Sequence, residues 1–169
     1  LAELDSFLGL ISKGLKTGGA LVLGSRNRLF NLHSLNEFSF LELQLDSVDK
    51  LLHESIILQT PKSQLEAIDK LAELKHQYSY PDTHPETGIK VETRFQFSPA
   101  DLISRLTKHS LRPTKIFPVH FHGLPLSLIK EDKLNPLHME LADMVSKQYI
   151  NAHAFVPYCS SFVIEAKKV

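Results

Sequence analysis

Two histidines stand two positions apart in residues 116–122, an alternating segment with the period of a β-strand. Because side chains two positions apart on a strand point the same way, His120 and His122 are predicted to share one face. Both imidazoles are candidate catalytic groups that could act as a general base toward an acceptor hydroxyl, and His122 is also a candidate substrate-binding residue. A metal site usually needs three or more protein ligands, and no third ligand has matching spacing, so no metal is predicted. The alternative is a polar pair on the solvated face of an edge strand.

A second polar cluster follows the apolar run of residues 20–23. Ligands of open α/β sheets bind at the carboxyl ends of the strands, so Arg26, Asn27 and Arg28 are candidate substrate-binding residues. A guanidinium is a fixed fork of donors that suits a carboxylate or a phosphate on a substrate. His33, in the next loop, is a further candidate. The alternative is an ordinary solvated turn.

Several common chemistries are disfavoured because their motifs are missing. Cys159 is the one cysteine of the chain, so an internal disulfide is excluded and zinc-ligand spacing is absent. No positive residue adjoins Cys159, and we expect it to pack rather than to act as a nucleophile. The sequence has neither the G-x-S-x-G turn of serine hydrolases nor the G-x-x-x-x-G-K-S/T loop that holds nucleotide phosphates.

The composition is that of a folded domain. Of 169 residues, 43% are hydrophobic, and 19 basic residues balance 19 acidic ones to a net charge of zero. No overall field draws the chain to nucleic acid or to an acidic membrane, so neither partner is predicted. Apolar runs fall far short of the roughly 20 residues of a membrane helix, which argues against membrane insertion. The single cysteine favours a reducing, cytoplasmic location.

The elements that must position these side chains begin with a helix. Leu4 and Leu8 lie on one helical stripe, and Gly18-Gly19 should end that helix. Residues 20–23 then predict a strand buried on both faces, as in a parallel sheet.

Residues 29–90 are predicted to form a helical and loop insertion that could serve as a lid. A helical stripe covers about residues 40–58, and a further helix is expected to begin at Thr60-Pro61. Thr60 can cap that helix, and Pro61 is tolerated at its first position because the N–H it lacks would be unpaired there.

The rest of the chain is also predicted to form strands and helices in alternation. Pro118 removes one ladder donor, which puts the strand over residues 116–122 at a sheet edge or a strand end. The order of elements indicates one α/β domain over residues 1–169, with helices on a sheet. The remaining elements are a strand over residues 91–97, a helix capped by Ser98, a last helix from Asn135 with Leu137, Leu141, Met144 and Val145 on its apolar face, and a final strand over residues 161–167.

Several of these segments resemble class I S-adenosylmethionine-dependent methyltransferases. Residues 8–23 resemble their leader helix, L-K-x-G-G turn and apolar fifth strand, and Asn27-Arg28 is similar to the N-R pair after that strand in quinone-type methylases. Residues 97–103 and 111–116 look like the segment that leads to the sixth strand. Residues 161–168 look like the seventh, antiparallel strand. If so, residues 115–122 and 161–167 should pair antiparallel.

The resemblance implies a Rossmann-like three-layer sandwich of which this chain is the C-terminal portion. It implies methyl transfer from S-adenosylmethionine to a small-molecule, glycan or lipid-precursor acceptor, with residues 29–90 as a lid or acceptor-site wall. The family holds its cofactor on a G-x-G-x-G loop and on acidic residues after early strands, and this segment has none of them. The cofactor-binding residues are therefore expected upstream, and the chain alone would be an incomplete enzyme.

A non-catalytic role is the alternative. Leucine-rich helices over residues 41–58 and 65–74 could pack against a partner protein, or against a second copy to form a homo-oligomer. A G-x-G-x-G motif upstream would favour the enzyme.

Overall fold

The computed structural model describes residues 1–81, 83, 87–88, 95–123, 134–149 and 152–169. Of the strand predicted over residues 91–97, the first four residues lie outside this part. The strands are β1 (Ala20–Arg26), β2 (Leu111–Phe121) and β3 (Cys159–Lys168), and short 3₁₀ helices span Arg28–Phe30 and His153–Tyr158. The helices are α1 (Ala2–Gly14), α2 (Asn31–Ser34), α3 (Glu37–Gln44), α4 (Val48–Gln59), α5 (Gln64–Glu73), α6 (Pro99–Lys108) and α7 (Asn135–Tyr149).

The strands form an open three-stranded sheet in the order β1-β3-β2. β3 is antiparallel to both neighbours, with Leu23 opposite Ile164 on one side and Phe117 opposite Val163 on the other. β1 and β2 therefore run parallel to each other with β3 between them. The predicted antiparallel pairing of residues 115–122 with residues 161–167 is confirmed, and the fold is mixed α/β.

The prediction that β1 is buried on both faces is wrong. Leu21 and Leu23 pack against the core, whereas Val22 between them is 64% exposed. A short apolar run identifies a strand but does not say how many of its faces are covered. Within the described residues only one face of β1 is covered.

The helical stripe over residues 40–58 is two helices, because the chain turns at Asp46, whose φ is +51°. The following helix does not begin at Thr60-Pro61 as predicted. Thr60 ends α4, and α5 begins at Gln64 with the Ser63 hydroxyl as its cap. A proline directly after a helix ends it as readily as a proline at the first position begins one.

Helix α6 begins as predicted, with Pro99 in its first turn and the Ser98 hydroxyl accepting from the Asp101 amide at 3.2 Å. α7 also begins as predicted, at Asn135, but its apolar face is shifted. Leu137 and Met144 are 47% and 42% exposed. Val145 is buried as predicted, and His138 is buried as well.

The helices after β1 share one core with the sheet. Within that core Leu51, Leu58 and Leu71 pack with Ile116 and Phe162, so the described part of residues 29–90 is built into the domain. Its role as a lid stays a prediction. Among the described helices, none has the length and apolarity needed to cross a membrane.

Candidate functional site

A groove of about 500 Å³ opens where β1 ends and β3 begins. The carboxyl ends of parallel strands are the usual ligand-binding edge of an α/β sheet, and both β1 and β2 end here. The groove therefore occupies the position expected for a substrate. It is lined by Arg26, Asn27, Phe30, Asn31, Ser34, Asn36, Phe38, Gln96, His120, Ser160 and Ser161.

Arg26 is the last residue of β1 and reaches the groove from the strand end. Its side chain is exposed, and its guanidinium has no hydrogen-bond or ion-pair partner among the described residues. Among the predicted substrate-binding residues that line the groove, Arg26 has donors available to a ligand, whereas those of Asn27 are used internally.

His120 lines the same groove and is exposed. Its φ is +56°, a left-handed conformation that is uncommon for residues other than glycine. This conformation interrupts the extended backbone on which the predicted shared face of His120 and His122 depends. The two imidazoles have different surroundings as a result.

His122 is half-buried between two rings. Its ring lies 5.4 Å from that of His138, nearly parallel, and 4.7 Å from that of Phe30. Burial, followed by the charges of His138 and His120, lowers the pKa of His122. Its Nδ1 has no hydrogen-bond partner among the described residues. His122 is not among the residues that line the groove.

Asn27 anchors the end of β1. Its Nδ2 donates to the carbonyls of Val156 at 2.7 Å and Cys159 at 2.9 Å, and its Oδ1 accepts from the Leu29 amide at 3.0 Å. The side chain is buried and its polar atoms are used internally. Asn27 therefore shapes the groove by tying β1 to the start of β3.

Arg28 lies in a buried ion pair with Glu42, where both side chains are 3% exposed or less. Arg28 Nε and Nη2 donate to the Glu42 carboxylate at 2.9 and 2.8 Å. Nη1 donates to the Ser79 carbonyl at 2.9 Å, and the guanidinium lies 5.0 and 5.2 Å from the ring centres of Tyr78 and Tyr80. The substrate role predicted for Arg28 stays a prediction, but its guanidinium already has an internal carboxylate.

The same carboxylate is linked to the groove wall through Asn31. Asn31 Nδ2 donates to Glu42 Oε1 and to Gln96 Oε1, both at 2.7 Å. The Ser47 hydroxyl also donates to Glu42 Oε2, at 2.6 Å. The buried ion pair thus orients two amide side chains that line the groove.

Glu54 is a second buried carboxylate, on α4. It accepts from the Tyr78 hydroxyl, from the Ser98 hydroxyl at 2.8 Å and from the Ala100 amide at 3.0 Å. Burial outweighs these hydrogen bonds and raises the pKa of Glu54 to about 7. The Tyr80 hydroxyl makes a similar bond to Asp101.

Sequence patterns missed both buried glutamates. Glu54 carried a usable signal, because Leu51, Glu54, Ser55 and Leu58 have the i, i+3, i+4, i+7 spacing of a buried helical stripe. A carboxylate on such a stripe must find partners. Glu42 carried no comparable signal, since α3 is short and its partners come from three other segments.

The remaining candidates lie away from the groove lining. His33 packs on the ring of Tyr158 at 4.7 Å, and burial lowers its pKa. Cys159 is buried, which raises its thiol pKa to about 12, and its Sγ donates to the Phe155 carbonyl at 3.2 Å. The prediction that Cys159 packs is confirmed. In the described part of the chain, no three His, Cys, Asp or Glu side chains are grouped so as to hold a metal ion.

Comparisons with known proteins do not extend this description. No model of a known protein family matches the sequence, and no curated protein matches it.

Proposed function

We propose that this chain is the C-terminal part of a class I S-adenosylmethionine-dependent methyltransferase and forms the wall that holds a small-molecule, glycan or lipid-precursor acceptor. The sheet order is the observation that carries the proposal. Strands joined through helices on one sheet usually lie side by side and parallel. Here β3, from the end of the chain, lies antiparallel between the parallel strands β1 and β2, as the family's last strand is expected to do.

The second edge of β1 supports the same proposal. β3 pairs with one edge of β1, and on the other edge the described residues contribute only an isolated parallel bridge, in which the Phe97 amide donates to the Arg26 carbonyl at 3.2 Å. Val22 also leaves an apolar side chain exposed on the face away from the core. In a larger parallel sheet, a further strand would cover this edge and the connecting helices would cover the face that carries Val22.

The residues of this chain do not fit the cofactor, which would supply an electrophilic methyl group when bound. The sequence has no G-x-G-x-G loop. Its one glycine pair is closed internally, because the Gly18 amide donates to the Lys168 carbonyl and the Gly19 amide to the Lys16 carbonyl, both at 2.8 Å. The proposal accordingly requires cofactor-binding residues outside these 169 residues.

What this chain would contribute is positioning. Holding an acceptor in the groove with one orientation removes much of the entropic barrier to a transfer reaction. His120 lines the groove and could take a proton from an acceptor hydroxyl. His122 keeps its candidate roles in catalysis and substrate binding, because its ring lies 4.7 Å from the ring of Phe30, and Phe30 lines the groove.

Calorimetric titration with S-adenosylhomocysteine tests the proposal. The 169-residue chain should give a flat titration, and the product of the complete reading frame should bind saturably. A flat titration with both proteins would contradict methyl transfer. Binding by the 169-residue chain itself would mean that the chain is wrongly placed within the fold.

The interaction-domain alternative has one observation in its favour. Leu52 and Ile56 lie one turn apart on α4 and are 47% and 57% exposed. If this face mediates self-association, the wild-type chain should be larger than a monomer by light scattering, and Leu52→Glu with Ile56→Glu should return it to a monomer. Leu10→Glu, at a leucine of α1 that is 70% exposed, is the control.

A further inference from the structure

The groove lining has basic side chains but no acidic ones. It contains Arg26 and His120 together with amide and hydroxyl side chains, but no aspartate or glutamate. The nearby Glu42 carboxylate is buried and bonded to Arg28, so its charge is compensated internally. The groove thus offers a concentration of donors with a positive side chain at one end.

The amides of the groove are held with their donors available. Gln96 Oε1 accepts from Asn31 at 2.7 Å, and Asn36 Oδ1 accepts from the Phe38 amide and the Ser34 hydroxyl, both at 3.0 Å. Because the oxygens are engaged, each NH₂ group is left to donate. Neither NH₂ group has a partner among the described residues.

Two serines at the start of β3 also line the groove. The side chains of Ser160 and Ser161, at the start of β3, have no hydrogen-bond partner in the part of the chain that the structure describes. Hydroxyls both donate and accept, which suits a ligand that itself carries hydroxyls. Next to them His120 keeps a left-handed backbone, and strained residues of this kind are concentrated at functional sites.

We propose that the groove binds a hydroxylated small molecule that carries a carboxylate or a phosphate, with Arg26 holding the anionic group. A volume of about 500 Å³ suits a molecule of sugar size. This inference rests on the proposed function in one respect, which is that the bound molecule is taken to be the methyl acceptor. Binding of the anion itself needs no cofactor.

Titrations of the chain with three matched sugars test this inference. Glucuronate, glucose 6-phosphate and glucose differ in the group on one carbon, and calorimetry or NMR shifts would compare their affinities. At least one anion should bind about tenfold or more tightly than glucose, as expected for charge-assisted hydrogen bonds. Whichever anion binds more tightly identifies the group that Arg26 holds.

Two arginine variants test the residue. Arg26→Gln should weaken binding of the preferred anion about tenfold or more. Arg112→Gln is the matched control, because Arg112 is also exposed on a strand and does not line the groove. It should leave the affinity within about twofold, because exposed charges farther than a Debye length from the ligand are screened. His120→Asn, which tolerates the same backbone, should weaken binding less than Arg26→Gln.

Two results would overturn the inference: equal binding of glucose and the anions, or equal losses in Arg26→Gln and Arg112→Gln. Other results would contradict one of the two proposals and leave the other intact. If the complete protein binds the anion through Arg26 but never S-adenosylhomocysteine, the inference stands and methyl transfer is lost. If the complete protein binds S-adenosylhomocysteine but does not discriminate between glucose and the anions, methyl transfer stands and the inference about the anion is lost.

Discussion

Arg26 and Arg28 are two residues apart and have opposite surroundings. Arg26 ends β1 at the groove with its guanidinium exposed and unpaired among the described residues. Arg28 is 2% exposed and bonded to Glu42. Asn27 separates them, because its three internal hydrogen bonds end the strand and turn the chain into the core. The same side-chain type is therefore left exposed at one position and is bonded within the fold at the other.

The two arginines should also differ in how much the stability of the fold depends on them. A buried ion pair tolerates no loss of one partner, because the remaining charge is left without water or counter-charge. An exposed guanidinium contributes little to folding and keeps its donors for a ligand. Stability and binding should consequently respond to different substitutions.

The largest effect is expected from Glu42→Gln. The substitution leaves the buried Arg28 guanidinium without its counter-charge, and unfolding in urea should show a loss of about 3–5 kcal/mol. Arg26→Gln should change the free energy of unfolding by about 0.5 kcal/mol or less. Similar losses in the two variants would remove the contrast between the arginines.

Glu54 should make stability fall as pH rises. Burial raises its pKa from an ordinary 4.5 to about 7 in the folded protein. Between these values the folded state holds a proton that the unfolded chain has released, so the free energy of unfolding decreases with increasing pH. Relative to Glu54→Gln, which cannot titrate, the wild type should lose a few kcal/mol across this window in urea unfolding. A difference that stays constant with pH would refute the assignment to Glu54.

Asn27→Asp should be costly although it is nearly isosteric. Asp keeps the acceptor for the Leu29 amide but cannot donate to the Val156 and Cys159 carbonyls, so we expect a loss of about 1–3 kcal/mol in thermal or urea unfolding. Asn36→Asp is the control, because Asn36 caps α3 through its oxygen and Asp caps equally well. A cost in the control as large as that in Asn27→Asp would argue against the lost donors as the cause.

A smaller effect than that of Asn27→Asp is expected from His120→Gly. Glycine adopts a positive φ without strain, so the free energy of unfolding should stay the same or rise by about 1 kcal/mol or less. Anion binding in the groove should weaken at the same time. If the free energy of unfolding falls instead by more than about 1 kcal/mol, His120 is held for packing and not for the groove.

Local signals were sufficient where neighbours in sequence determine the structure. Ser98 and Pro99 begin α6 as predicted, because a cap bonds to an amide only three residues away. The polar cluster after residues 20–23 was correctly identified as lying beside a strand end. The antiparallel pairing of β2 with β3 followed from the resemblance of their sequences to a known family, and alternation alone would have left the partner open.

Long-range packing determined the rest. Whether β1 is covered on one face or two, and whether an arginine is solvated or buried, depends on residues distant along the chain. Glu42 joins Arg28 to Asn31 and Ser47, and Glu54 joins α4 to the start of α6. No spacing in the sequence identifies such partners, because the energy of a buried charge depends on which groups surround it in three dimensions. Arg26 and Arg28 have the same chemistry in sequence, and only the fold makes one of them available to a ligand.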